Sequence, residues 1–171
     1  MKTETEPTET QTPLAERPED TLVFRTFRPG DEEPFKRLNE AWIRELFTLE
    51  AADSRVLDHP REVILEPGGE ICVAELAGEV VGCCALVAIR EGEFELAKMT
   101  VSEAARGRGV GRRLLEYTIA EGRRRGARRL YLNSNSRLQN AIHLYEQLGF
   151  RHIPPVPVPY SRVDVHMEMV F

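Results

Sequence analysis

No apolar run in this chain of 171 residues is long enough to cross a bilayer. The longest, Val80–Ile89, is ten residues and contains Gly82, about half of the roughly 20 that a spanning helix needs. Residues 1–20 carry no hydrophobic secretory segment, so the expected location is cytoplasmic, with no membrane association. There are only three cysteines, Cys72, Cys83 and Cys84. An odd number without paired spacing excludes a disulfide framework and a cysteine-based metal site. On a strand, neighbouring Cys83 and Cys84 point to opposite faces, so all three read as small buried hydrophobes. His59, His143, His152 and His166 have no metal-ligand spacing, and no metal is expected.

Charge of one sign is also scarce once the chain is divided. Of the net −5, residues 1–20 carry −4, from six acids and two bases, which leaves 21 bases against 22 acids in the remainder. A near-neutral domain has no electrostatic basis for gripping nucleic acid, so no nucleic-acid partner is expected. The first 20 residues repeat Thr, Glu and Pro with almost nothing apolar. Such a segment cannot offset its ordering entropy by burial. It is expected to be a disordered acidic tail ahead of a single domain at residues 21–171.

The patterning of that domain alternates. Strands are expected at Leu22–Arg28, Glu70–Leu76, Val80–Arg90, Glu93–Val101, Arg128–Leu132 and Val163–Phe171. A helix is expected from about Glu33 to Leu49, with Phe35, Leu38, Trp42 and Leu46 on one face, and a shorter helical stretch at Ser54–Leu65. Two more follow: Gly109–Arg125, burying Val110, Leu114, Leu115 and Ile119, and Ser136–Leu148. Ser136 and Gln139 suit a capping box, and Gly149-Phe150 suits a left-handed C-terminal stop. Paired strands followed by strand–helix–strand–helix–strand imply an α/β (α+β) fold, a mixed sheet with helices packed on it.

The chemistry gathers where the fourth strand meets the long helix, at Arg106-Gly107-Arg108-Gly109-Val110-Gly111-Arg112. Three glycines at alternate positions let backbone approach a bulky anion. The helix that starts there points free N–H groups and its positive dipole end at the same spot. Together they suit a phosphate or pyrophosphate, with charge added by Arg106, Arg108 and Arg112. The dinucleotide fingerprint G-x-G-x-x-G/A fails in both registers, and the mononucleotide loop G-x-x-x-x-G-K-[ST] fails because Arg112 stands where its second Gly should be. The run Arg123–Arg125 with Arg128 and Arg129 is read as complementing a helix C-terminus.

The segment Arg106–Gly111 fits R-x-x-G-x-G, and Ala141–Phe150 fits A-x-x-x-Y-x-x-x-G-F downstream of it. On these two motifs the sequence resembles the GNAT superfamily of N-acetyltransferases, over about residues 22 to 171. The resemblance implies a central sheet of about seven strands flanked by about four helices, and acetyl-CoA as co-substrate. It implies that Arg106, Gly107, Arg108, Gly109, Val110, Gly111 and Arg112 wrap the pyrophosphate. Backbone groups of Met99 and Val101 would then hold the thioester. Tyr145 matches the family tyrosine near the thioester sulfur and is the candidate acid, although it also lies on the apolar stripe Leu138, Ile142, Tyr145, Leu148. Glu95 stands eleven residues before Arg106, the family spacing for a general base, with Glu93 the alternative. Regular alternation would put Glu93, Glu95, Ala97, Met99 and Val101 on one side of the strand.

One position departs from the family pattern. Leu138 stands where many members have an Asn that touches the pantetheine, and Asn133 or Asn135 is the candidate replacement. Trp42 and Tyr160 are candidates for the acceptor pocket. The expected reaction is acetyl transfer to a small-molecule or peptide amine. The competing reading is a non-catalytic acyl-CoA sensor, and the sequence is compatible with a homodimer.

Overall fold

A computed structural model describes residues 21–171; the expected tail at 1–20 lies outside the described residues. The sheet has seven strands: β1 (Leu22–Thr26), β2 (Glu70–Leu76), β3 (Glu79–Arg90), β4 (Glu93–Val101), β5 (Arg129–Ser134), β6 (Arg151–His152) and β7 (Val165–Val170). Their order is β1-β2-β3-β4-β5-β7-β6. All neighbours are antiparallel except β4 and β5. The helices are α1 (Glu32–Leu46), α2 (Ala51–Asp58), α3 (Val110–Arg124) and α4 (Gln139–Gln147), with a π-helical turn at Arg61–Leu65 and a short 3-10 turn at Glu103–Ala105.

Two apolar layers sandwich the sheet. Phe35, Ile43, Leu57 and Ile64 pack with Ile71, Val73, Cys83 and Ala85 on the α1/α2 face. Val110, Leu114, Leu115, Tyr145 and Phe150 pack with Cys84, Leu86, Leu96, Leu130 and Met167 on the other. Cys83 and Cys84 thus serve opposite layers. Burial pushes the Cys72 and Cys83 thiols up to about 12, so they stay protonated and behave as apolar filler.

Local details differ from the sequence expectations for identifiable reasons. Helix α1 ends at Leu46, and its buried face is Phe35, Leu38, Asn39 and Ile43. Trp42 is half-buried and Leu46 is exposed. Asn39 can occupy the core because its amide donates to the Phe35 carbonyl at 2.9 Å and accepts from Trp42 Nε1 at 3.1 Å. Pro60 splits the expected Ser54–Leu65 helix into α2 and the π turn, since it lacks the N–H to continue one. On α3, Thr118 and Glu121 join the buried face while Ile119 is half-buried. Ser136 caps nothing: its hydroxyl donates to Asp164 at 2.7 Å, and α4 begins three residues later. The stop at the other end of α4 forms as expected. The Phe150 N–H reaches the Tyr145 carbonyl at 3.0 Å and the Gly149 N–H reaches Glu146 at 3.1 Å, with Gly149 at φ 104°.

Candidate active site

Register creates the site. β4 and β5 pair only from Glu93 against Arg129 to Leu96 against Leu132. Beyond that point the two strands separate, leaving Ala97–Val101 without a partner in β5. A pocket of about 430 Å³ occupies the split, lined by residues of β4, β5, the end of α1, the start of α4 and the segment before β7. Glu95, Met99, Val101, Arg106, Asn133 and Tyr145 all line it.

A bulge decides which side each residue serves. Cys83 pairs with Thr100 but Ala85 with Ala97, so β4 carries one extra residue opposite Cys84. Lys98 sits there at φ 52°, the left-handed region that a residue with a Cβ rarely occupies. The expectation of regular alternation is therefore corrected. Glu95 and Ala97 stand opposite Val87 and Ala85, on the α1/α2 face. Met99 and Val101 pack with the α3/α4 layer.

On the α3/α4 side, the Tyr145 hydroxyl lies 3.7 Å from Met99 Sδ, and its ring meets Phe150 edge-on. Burial pushes this phenol well above its ordinary value, so it holds its proton at neutral pH. The glycine loop enters at Arg106, whose Nε donates to the Val101 carbonyl at 3.3 Å. Gly107 and Gly109 adopt φ 75° and 73°, with open space where a Cβ would stand. Among the described residues, no backbone amide from Gly107 to Arg112 finds a protein acceptor. An exposed row of free donors at a helix start suits a pyrophosphate. Arg112 reaches Glu116 and Gln147 at 3.2 and 3.3 Å, while Arg108 is exposed.

On the α1/α2 side, Glu95 Oε1 accepts from the Asn133 amide at 3.1 Å, and Asn133 Oδ1 lies 2.9 Å from His166 Nδ1. Burial raises the Glu95 carboxyl above its ordinary value; the Asn133 amide and the Lys98 ammonium pull it back. Glu93 is half-buried and pairs instead with Arg90 at 2.7 Å, and it does not line the pocket. Leu138 lines the pocket, and Asn135 donates to the Arg162 carbonyl at 2.6 Å.

Sequence reasoning missed a buried ionic cluster beside Glu95. Lys98 Nζ donates to Asp53 at 2.8 Å and to the Tyr160 hydroxyl at 3.2 Å. Arg162 grips the same Asp53 with two contacts at 2.8 and 2.6 Å and reaches Glu50 at 3.2 Å. Asp53 is 0% exposed. Its burial raises its pKa, but the Arg162 and Lys98 donors win and hold it at about 2. Trp42 and Tyr160, the expected pocket aromatics, line the same wall. The only advance signal was Asp53 three residues after Glu50, whose N–H it accepts at 3.0 Å to start α2.

The arginine run is internally engaged. Arg125 pairs with Glu70 and Glu121, Arg124 with Glu121, and Arg129 with Glu168. No helix of the described residues is long and apolar enough to cross a membrane.

Comparison with known proteins agrees with this fold. A relative in Escherichia coli (strain K12), the uncharacterized N-acetyltransferase YjgM, is 35% identical over 117 residues, 67% of this chain and 70% of its own. The IAA acetyltransferase of Azospirillum brasilense is 37% identical over 90 residues, 52% of this chain and 59% of its own. A GNAT-family acetyltransferase from Staphylococcus aureus Mu50 superposes with TM-score 0.79 at 18% identity, covering 88% of this chain and 99% of that one. The structure of yncA from Salmonella typhimurium, solved with its cofactor acetyl-CoA, gives 0.68 at 24% identity, covering 88% and 94%. A family model described as the acetyltransferase (GNAT) family matches residues 27–150, and the chain belongs to that family, the acetyl-CoA-dependent N-acetyltransferases.

Proposed function

We propose that this enzyme acetylates a small-molecule or peptide amine by direct attack, with Glu95 as base and Tyr145 as acid, within a catalytic unit of residues 21–171. One observation carries the reading: the two groups line one pocket from opposite faces of the split sheet. Acetyl transfer to an amine needs a proton removed on the side where the nucleophile enters. It needs one supplied on the side where the thiolate leaves. An alkyl ammonium with a pKa near ~10 is not a nucleophile at neutral pH. Glu95, lifted by burial, is placed to take that proton directly or through a water. Tyr145 keeps its proton until a thiolate develops beside it.

The loop Arg106–Arg112 binds the pyrophosphate of the co-substrate through its free amides and Arg108. Backbone N–H groups at Met99 and Val101, in the stretch without a β5 partner, stabilise the oxygen as negative charge grows on it. Asn133, engaged with Glu95, belongs to the acceptor side, and the reading requires no metal.

Thiol release from acetyl-CoA, screened against amine classes, identifies the acceptor and tests the reading. With that acceptor, Glu95→Gln should lose most activity below the amine's pKa and recover part of it as pH rises and free amine accumulates. Wild-type rates for Glu95→Gln at neutral pH would remove Glu95 from the mechanism.

A further inference from the structure

Glu95 is the end of a hydrogen-bonded chain that crosses three strands, and the direction of every bond in it follows from chemistry. An ionised carboxylate only accepts. The atom that Asn133 turns toward Glu95 Oε1, 3.1 Å away, must therefore be its NH₂. Asn133 Oδ1 then faces His166, and an amide oxygen also only accepts, so His166 Nδ1, 2.9 Å away, must carry a proton. Asn133 and His166 are register partners on β5 and β7, which holds the two side chains together. His166 is 6% exposed, so its ring has little freedom to turn away.

We infer that Asn133 and His166 are positioning residues that hold Glu95 ionised and aimed into the pocket. His166 Nδ1–H fixes the Asn133 amide, and the amide fixes the carboxylate. The inference rests on Glu95 being the base. Lys98 is on its own strand, and Asn133 and the register partner Tyr131 are on β5; Glu45 of α1, Arg106 after β4, Arg137 and Tyr145 around α4, and Tyr160 and Arg162 before β7 line the same pocket. Its partner on β3 is apolar Val87. His166 has Asp164 near it on its own segment. Of these, Lys98 is tied to Asp53 at 2.8 Å, which leaves the Asn133 amide as the donor in direct contact with the base.

The sign is fixed by the bond. Donation to the carboxylate favours its charged form and opposes burial, so removing the donor moves the Glu95 pKa up. A carboxyl NMR titration of the free enzyme reads this without any acceptor, with Glu95→Gln identifying the signal. Asn133→Ala should raise the Glu95 pKa by about one unit or more, since a bond to a charged group is lost. His166→Leu should raise it by less, because the amide survives but is free to turn. His166→Asn, whose side-chain NH₂ lies close to where Nδ1–H was, should restore it to within about 0.3 unit. The acid limb of kcat/KM should move with each Glu95 shift and move back in His166→Asn, a pH signature that a merely structural role would not produce.

In the wild type, ¹⁵N shifts of His166 should show a protonated Nδ1. This reading holds even if a variant fails to fold. An Nε2–H tautomer, or an unmoved Glu95 titration in Asn133→Ala, overturns the inference while leaving Glu95 as base. Wild-type activity in Glu95→Gln overturns the parent reading instead.

Discussion

The glycine loop at Arg106–Arg112 and the wall around Asp53 border the same pocket, yet different physics holds each of them. The loop is local. Two left-handed glycines, Gly107 and Gly109, leave six consecutive amides without protein acceptors at the start of α3, and seven adjacent residues suffice to build it. The wall is assembled from far apart: Asp53 on α2, Lys98 in the β4 bulge, and Tyr160 and Arg162 before β7. The comparison teaches that the loop proposed for the co-substrate is a property of a segment. The wall around Asp53 is a property of the fold, and it should fail cooperatively when one member is removed.

The largest expected effect comes from breaking the loop. Acetyl-CoA at a hundred times its dissociation constant should stabilise the wild type by about 2.7 kcal/mol. Gly109→Asp forces a side chain into φ 73° and sets a negative charge in the loop proposed to hold the phosphates, so the melting shift should vanish. An undiminished shift would move the co-substrate site elsewhere.

Tyr145→Phe comes next. The ring stays packed against Phe150 and only the hydroxyl is lost. Melting should barely move, while kcat falls by roughly 10²–10⁴-fold, as for a lost general acid. Unchanged kcat with chemistry rate-limiting would leave Tyr145 as core only.

Breaking the wall should register in stability instead. Asp53→Asn leaves Lys98 and Arg162 buried beside a neutral amide, which should cost about 3–5 kcal/mol in denaturant unfolding. The wild type should show the matching pH dependence. Asp53 titrates near 2 in the fold against 3.8 ordinarily, so its contribution is complete above about pH 4. It is lost as pH falls toward 2, on the order of 2 kcal/mol. If Asp53→Asn unfolds with the wild-type acid dependence, the cluster contributes nothing to it.

The smallest effect sharpens the reading of Ser136. Its hydroxyl and amide both bond Asp164 at 2.7 Å. Ser136→Ala should therefore cost less than about 1 kcal/mol and couple to Asp164→Ala in a double-mutant cycle. Additive losses would favour a capping role.

Much of the architecture was legible in advance. Alternation marked six of the seven strands; β6, at two residues, is too short to carry a period. The stop at Gly149-Phe150 was readable because it needs only a left-handed residue and one apolar contact. The Ser136 cap was misread because Asp164, remote in sequence, competes for the same donors. In the site, Glu95 and Tyr145 could be named from the family resemblance, but not the face of the sheet on which each lies. An extra residue in β4 leaves no mark in composition, and Lys98 read as an ordinary strand residue.

The sequence by itself determined the glycine loop, the period of each long element and the apolar faces, because these depend on backbone freedom and on neighbours within a few residues. Only the tertiary structure decided where β4 parts from β5, and with it the pocket. Only there did Lys98, Asp53 and Arg162 become one buried cluster and Asn133 come between Glu95 and His166. Those arrangements rest on register and long-range pairing: an ion pair or a donated hydrogen bond forms between whichever groups the fold brings within about 3 Å, and sequence distance does not encode that.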